Sequence, residues 1–181
     1  MKNIFVIYLI LSTLSALGQT DTTVEFLKDI VENQKMGYEG EVRISSVSTA
    51  WTREHLKKLI KPEDSGSISF FFSRRDTLHL TANEKELIIE HFSDPSNLQV
   101  SGEPWNFDTI GQRRVVGFLK NNEGSQVLFL SKPLFIRDGT VAISFFSNLC
   151  CGGISGSINV SAYRKEDHVW TRWIDLSAGE F

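Results

Sequence analysis

An α+β fold, with helices packed on one face of a curved antiparallel sheet and a C-terminal β-meander, follows from three observations. Apolar residues recur at helical spacing through much of the first half of the chain. From Gln126 onward they alternate in twos, as half-buried strands do. The connections between those later strands are only a few residues long, whereas a parallel pair needs a crossover of about a dozen or more. The sheet must bury an apolar face, and the earlier helices are the covers that the chain offers for it.

The elements run in order from an expected export signal. Lys2 supplies a positive start, Ile4 to Leu11 an apolar run, and Ala16-Leu17-Gly18 the small residues that a signal peptidase needs before Gln19. The run is shorter than the ~20 residues of a membrane span and is broken by Ser12, Thr13 and Ser15. Residues 1–18 are therefore expected to be a cleaved signal peptide, with no cysteine placed for lipid attachment at the new N-terminus. The product is expected to be secreted or periplasmic, with no stable membrane anchor.

Removing residues 1–18 from the 181 leaves 163, residues 19–181, a length suited to one α+β domain with its own core. It carries 18 basic and 22 acidic side chains and lacks a concentrated basic segment. That balance argues against nucleic acid as a partner.

Thr22-Thr23-Val24-Glu25 has capping-box spacing, and Val24, Leu27, Ile30 and Val31 share one helical face before Gly37 stops the helix. Val42 and Ile44 alternate within Glu41 to Val47, as in a short edge strand. Trp51, His55, Leu56, Leu59 and Ile60 predict a second helix, ended by Pro62. Ser67 to Ser73 and Thr77 to Leu80 read as a hairpin across Arg74-Arg75-Asp76. Thr81-Ala82-Asn83-Glu84 is a second capping box, predicting a helix over 82–92 with Leu87, Ile88 and Phe92 inward.

Pro95, Gly102 and Pro104 punctuate a long loop, in which Trp105 and Phe107 serve packing. Residues 110–120 are ambiguous, because Gly111, Gly117 and Val115-Val116 weaken a helix that Asp108 could cap. Strands follow over 126–130, 140–148, 157–164 and 168–176. Val141, Ile143 and Phe145 mark one apolar face, as do Ile158, Val160 and Ala162 in the next strand and Trp170, Ile174 and Leu176 in the last.

Several stretches from Ser131 onward resemble a pattern in small exported proteins of Bacteroidetes-type bacteria. They are Ser131-Lys132-Pro133-Leu134-Phe135, the Asp138-Gly139 turn, Ala142, Cys151-Gly152-Gly153 with Gly156, Tyr163-Arg164-Lys165-Glu166 and Trp170. The resemblance covers roughly the last quarter of the mature chain, with the Leu80-Thr81 helix start, and implies an envelope protein without implying an activity. In that pattern the loop reads Cys-Gly-Gly-x-Cys-Gly. Here Ser155 stands in the second cysteine's place and Cys150 is extra, so a bridge from Cys151 to position 155 is impossible.

The candidate ligand-binding residues are Cys150, Cys151, Gly152, Gly153 and Ser155 in the double-cysteine loop, with Trp173 as the more exposed tryptophan of the last strand. Two cysteines in an oxidising compartment leave three readings open: two thiols, a vicinal disulfide, or intermolecular pairing. A vicinal bridge would strain the intervening peptide, and would make a flat apolar platform for a ligand. Redox catalysis lacks a Cys-x-x-Cys spacing. A serine-nucleophile elbow fails because Ser157, not glycine, stands two residues after Ser155, and because a strand rather than a helix follows.

His55, His79, His91 and His168 lack metal-ligand spacing, although Cys151 and His168 could meet across a hairpin. Glu84, Glu86 and Glu90 offer a weak foothold for paired-carboxylate chemistry, with Asp175 as another partner. No catalytic residue, metal or cofactor is therefore assigned. The expectation is a non-catalytic binding or interaction module of the envelope, with a small ligand or an envelope protein as partner. The alternative is an envelope hydrolase with a pocket between helices and sheet.

Overall fold

The computed structural model describes residues 22–33, 40–48, 52, 68–73, 76–100, 107–150 and 155–180. Helix α1 spans residues 22–33 and buries Phe26, Leu27, Ile30 and Val31. Three of these come from the apolar stripe of the sequence; Phe26 joins them because the buried arc is wider than that stripe. Gly37, and Trp51, His55, Leu56, Leu59 and Ile60 of the expected second helix, lie outside the described residues. Thr52 between them is helical and buried, and both its N–H and its hydroxyl donate to Ser48 O, at 3.1 and 3.0 Å.

Strand β1 (Val42–Ser46) forms one edge of a six-stranded sheet. The others are β4 (Gln126–Leu130), β5 (Leu134–Ile136), β6 (Val141–Cys150), β7 (Ser155–Glu166) and β8 (Val169–Glu180). Their order is β1-β4-β6-β7-β8, with β5 continuing beyond β4 along the same side of β6. Every pair is antiparallel except β1 with β4, which is parallel. The α+β class and the C-terminal meander are thus as the sequence predicts, and β1 is an edge strand. Its parallel partner is possible because the long intervening chain supplies the crossover.

A separate two-stranded hairpin joins β2 (Ile68–Ser73) to β3 (Asp76–Leu80) and leads into α2 (Ala82–Ser93). The capping box at the start of α2 is present in full. Glu84 N–H donates to the Thr81 hydroxyl at 3.2 Å, and Thr81 N–H donates to Glu84 Oε2 at 2.9 Å. Ile88 and Phe92 point inward, whereas Leu87 is 45 % exposed. A 3-10 turn follows at Pro95–Leu98. The ambiguous stretch after residue 110 is helical: a 3-10 turn over Gln112–Arg114 runs into α3 (Val115–Asn121), which buries Val115 and Leu119. Gly117 stands within this helix, where an added Cβ would meet open space.

All five residues of β4 are buried, so the sheet is covered on both sides there. Val127 and Phe129 join Leu78, Leu80, Ile88, Phe92, Leu119, Ile143 and Phe145 in one cluster, under β3, α2 and α3. Leu128 and Leu130 join Phe26, Leu27, Ile44, Phe146, Tyr163 and Trp170 in the other, under α1. Successive strand residues point to opposite faces. The helices are therefore divided between the two faces, and the single covered face expected from the sequence becomes two.

Strand β8 departs from simple alternation at two bulges. Ala162 pairs with Ile174 and Tyr163 with Arg172, which leaves Trp173 as an extra residue; likewise Ser161 pairs with Asp175 and Val160 with Ser177, which leaves Leu176 extra. The one face expected for Trp170, Ile174 and Leu176 is consequently split. Trp170 packs in the α1 layer, and Ile174 and Leu176 pack in the other.

Candidate functional site

The double-cysteine loop is the end of the β6–β7 hairpin. Cys150 pairs with Ser155 as the last rung, and the Cys150 side chain is half-buried. Cys151, Gly152 and Gly153 lie outside the described residues. Trp173 sits far along the same sheet, beside the Ala162–Ile174 rung. Seven residues of β7 separate that rung from Ser155, about 23 Å of strand. Trp173 and Ser155 therefore lie far apart: Trp173 packs against the α2-side core, with the Arg164 guanidinium 5.2 Å from its ring centroid.

Of the carboxylates singled out in the sequence, Glu84 and Asp175 are already engaged. Glu84 accepts from Arg137 Nε at 2.8 Å and Nη2 at 3.2 Å, as well as from the Thr81 backbone. The Arg137 hydrogen bond holds the Glu84 carboxyl below its ordinary range, so it is ionised and poor as a general acid. Arg137 also donates to His79 O, tying the β5–β6 turn to β3 and to the start of α2.

Asp175 Oδ1 accepts from the Ser161 hydroxyl at 2.7 Å and from Arg172 Nε at 2.8 Å. Beside it Tyr163 is buried, and desolvation pushes its phenol up to about 12. The Ser161–Asp175 hydrogen bond joins neighbouring strands, so this group ties β7 to β8. Burial likewise lowers the pKa of His91, whose Nε2 lies 3.2 Å from Lys132 O. Among the described residues no three His, Cys, Asp or Glu side chains come together as a metal site, and no helix is long and apolar enough to cross a membrane.

A groove of about 510 Å³ lies elsewhere, where β1 leaves the sheet. Its described lining is Ser46, Val47 and Ser48 at the end of β1, Pro95, Leu98 and Gln99 around the first 3-10 turn, and Gly111 to Arg114. Hydrogen bonds fix both banks to the strand. Val47 N–H donates to Leu98 O at 3.1 Å, and the Gln112 side-chain amide donates to Ser46 O at 2.8 Å. Ile44 and the chain at 108–110 exchange two further bonds, Ile44 N to Asp108 O at 2.9 Å and Ile110 N to Ile44 O at 2.8 Å. Val47 and Leu98 form a buried apolar floor, and the amides and guanidiniums stand around the rim.

Gln99, Gln112, Arg113 and Arg114 were not candidates on sequence grounds. One signal was available: no acidic residue occurs between Asp108 and Glu123, although Arg113, Arg114 and Lys120 all fall there. The spatial partners, Ser46 and Gln99, are too distant in the chain for any local pattern to join them. No protein-family model matches this sequence, and no curated protein or solved structure matches it either.

Proposed function

We propose that the protein is an exported, non-catalytic binding module of the cell envelope, and that its ligand seats in the groove between Ser46–Ser48, Pro95–Gln99 and Gly111–Arg114. Export is supported by the Lys2, Ile4 to Leu11 and Ala16-Leu17-Gly18 pattern. One observation carries the binding reading: the groove is already shaped, with an apolar floor and a few convergent polar groups held by backbone-anchored walls. Small-molecule sites have that character, with volumes of about 300–1,000 Å³.

A thermal-shift panel of sugars, peptides, lipids and anions on the full chain tests the reading. A ligand at 100 times its dissociation constant adds about 2.7 kcal/mol, a rise of roughly 6 °C for a domain of this size. Gln99→Trp, which fills the groove from its rim, is expected to abolish that rise. A panel without any stabilising compound refutes the reading, and a rise that survives Gln99→Trp places the ligand elsewhere. The competing hydrolase reading is tested alongside it: Ser155→Ala or Asp175→Ala must abolish any turnover found in the same panel.

A further inference from the structure

The described arginines fall into two sets. Arg43 is paired with Glu41 at 2.6 Å, Arg137 with Glu84 at 2.8 Å, Arg172 with Asp175 at 2.6 Å, and Arg164 with Glu166. Arg113 and Arg114 make no ion pair or side-chain hydrogen bond among the described residues, and both line the groove. They are adjacent in sequence on a 3-10 turn and border the same groove, on a chain whose net charge is −3. A guanidinium matches an ion bearing two or more oxygens with paired N–H donors.

No carboxylate stands in the described lining to occupy them. Asp108 lies three residues before Gly111 and Asp94 stands next to Pro95 on the opposite bank, and neither is in that lining. Asp94 accepts from Ser96 N–H at 2.8 Å, which lowers its carboxyl pKa and engages one oxygen at the 3-10 turn. The two banks also differ in chemistry. Arg113 and Arg114 rise from one; Val47, Pro95 and Leu98 make the floor and the other. A ligand that satisfies both halves carries an oxyanion at one end and an apolar body at the other.

We infer that the groove binds a small organic anion, its carboxylate or phosphate against Arg113 and Arg114 and its apolar body on Val47, Pro95 and Leu98. This rests on the proposed binding role and specifies its ligand class. The amides of Gln99 and Gln112 border the same space, but Gln112 donates to Ser46 O and so serves the wall. The charged contacts are exposed, so the affinity is expected to fall as ionic strength rises.

Isothermal titration of the full chain with hexanoate, hexylphosphate, inorganic phosphate and hexanol tests the inference. Hexanoate, hexylphosphate or both are expected to bind at least tenfold more tightly than hexanol, and the tighter of the two identifies the head group. The R113Q/R114Q double variant removes no described intramolecular contact, so it is expected to keep the wild-type melting temperature while losing at least tenfold in anion affinity. Hexanol binding as tightly as the anions, or anion binding unchanged in R113Q/R114Q, overturns the assignment. Inorganic phosphate binding as tightly as hexylphosphate overturns the apolar floor's part in it. If none of these anions binds while a neutral compound still stabilises the protein in a Gln99→Trp-sensitive way, the anion class falls and the binding role stands. If nothing binds at all, both fall.

Discussion

The two faces of the main sheet are both covered by helix, and they achieve burial by different chemistry. Under α2 and α3 the core is mainly aliphatic, with Leu78, Leu80, Ile88, Val115, Leu119, Val127, Ile143 and Val160 in contact. Under α1 it is built around aromatic rings: Phe26 meets Tyr163, Trp170 and Phe135 edge-on, at 5.1, 5.6 and 6.1 Å between centroids. Polar ties reinforce that second layer, with Asp29 accepting from Trp170 N–H at 2.8 Å and Glu25 holding Lys165 at 2.9 Å. The aliphatic face depends on many interchangeable contacts. The aromatic face depends on a few large ones.

The largest expected effect comes from removing one such anchor. Trp170→Ala should cost about 4 kcal/mol and Ile88→Ala about 3 kcal/mol, through lost burial and the cavities left behind. Because the sheet separates the two sites, the double variant should equal the sum within about 0.5 kcal/mol by denaturant titration. Coupling beyond that would mean that the two layers behave as one core.

A smaller effect belongs to the aliphatic side, at the N-terminus of α2. Thr81→Ala removes the cap and should cost about 1 kcal/mol. The same box has a pH signature, since the carboxyl of Glu84 is held below its ordinary value of 4.5, first by the Arg137 hydrogen bond. Its stabilisation is fully present above 4.5 and is lost as pH falls through the lower folded value. Glu84→Gln should flatten that part of the stability profile between pH 5 and 3, which a series of melting curves would reveal.

The smallest effect lies at the turn between β7 and β8, next to the aromatic layer. Asp167 and His168 both have positive φ, 48° and 69°, in a two-residue turn that favours glycine at its second position. His168→Gly should raise stability by about 0.5–1 kcal/mol, visible as a higher melting temperature.

Legibility in the sequence follows the same division. The aliphatic face was readable because Ile88 and Phe92 keep helical spacing, and Val141, Ile143 and Phe145 keep strict alternation. The aromatic face was only half readable. The stripe of α1 is evident, but simple alternation groups Trp170 with Ile174 and Leu176, because the bulge at Trp173 that reverses the alternation has no local signature. The strand Leu134–Ile136 has no clear signature in the sequence, for a related reason. It is three residues long, and it is set by Ser131, whose hydroxyl accepts from Phe145 N–H at 2.9 Å across the break between β4 and β5.

The candidate site shows the same limit more severely. The double-cysteine loop stands out in the sequence because its composition is unusual along the chain. The groove has an ordinary composition, and becomes visible only when residues 46–48, 95–99 and 111–114 are brought together by Val47, Leu98 and Gln112. Neighbourhood in space, not rarity in sequence, makes it a candidate.

The parallel union of β1 with β4 is expected to form late in folding. Gly40 sits so close to Gly124 that an added Cβ would lie 2.4 Å from the Gly124 carbonyl carbon, and Val42 meets Gln126 across 84 residues of chain. The hairpins of β5 to β8 close over short loops and have only a small entropic barrier to cross, whereas β1 must await a distant partner. During that interval β4 presents an open hydrogen-bonding edge, flanked by Val127 and Leu128. Aggregation during folding is therefore expected to be greatest in the time that Val42–Ser46 takes to arrive.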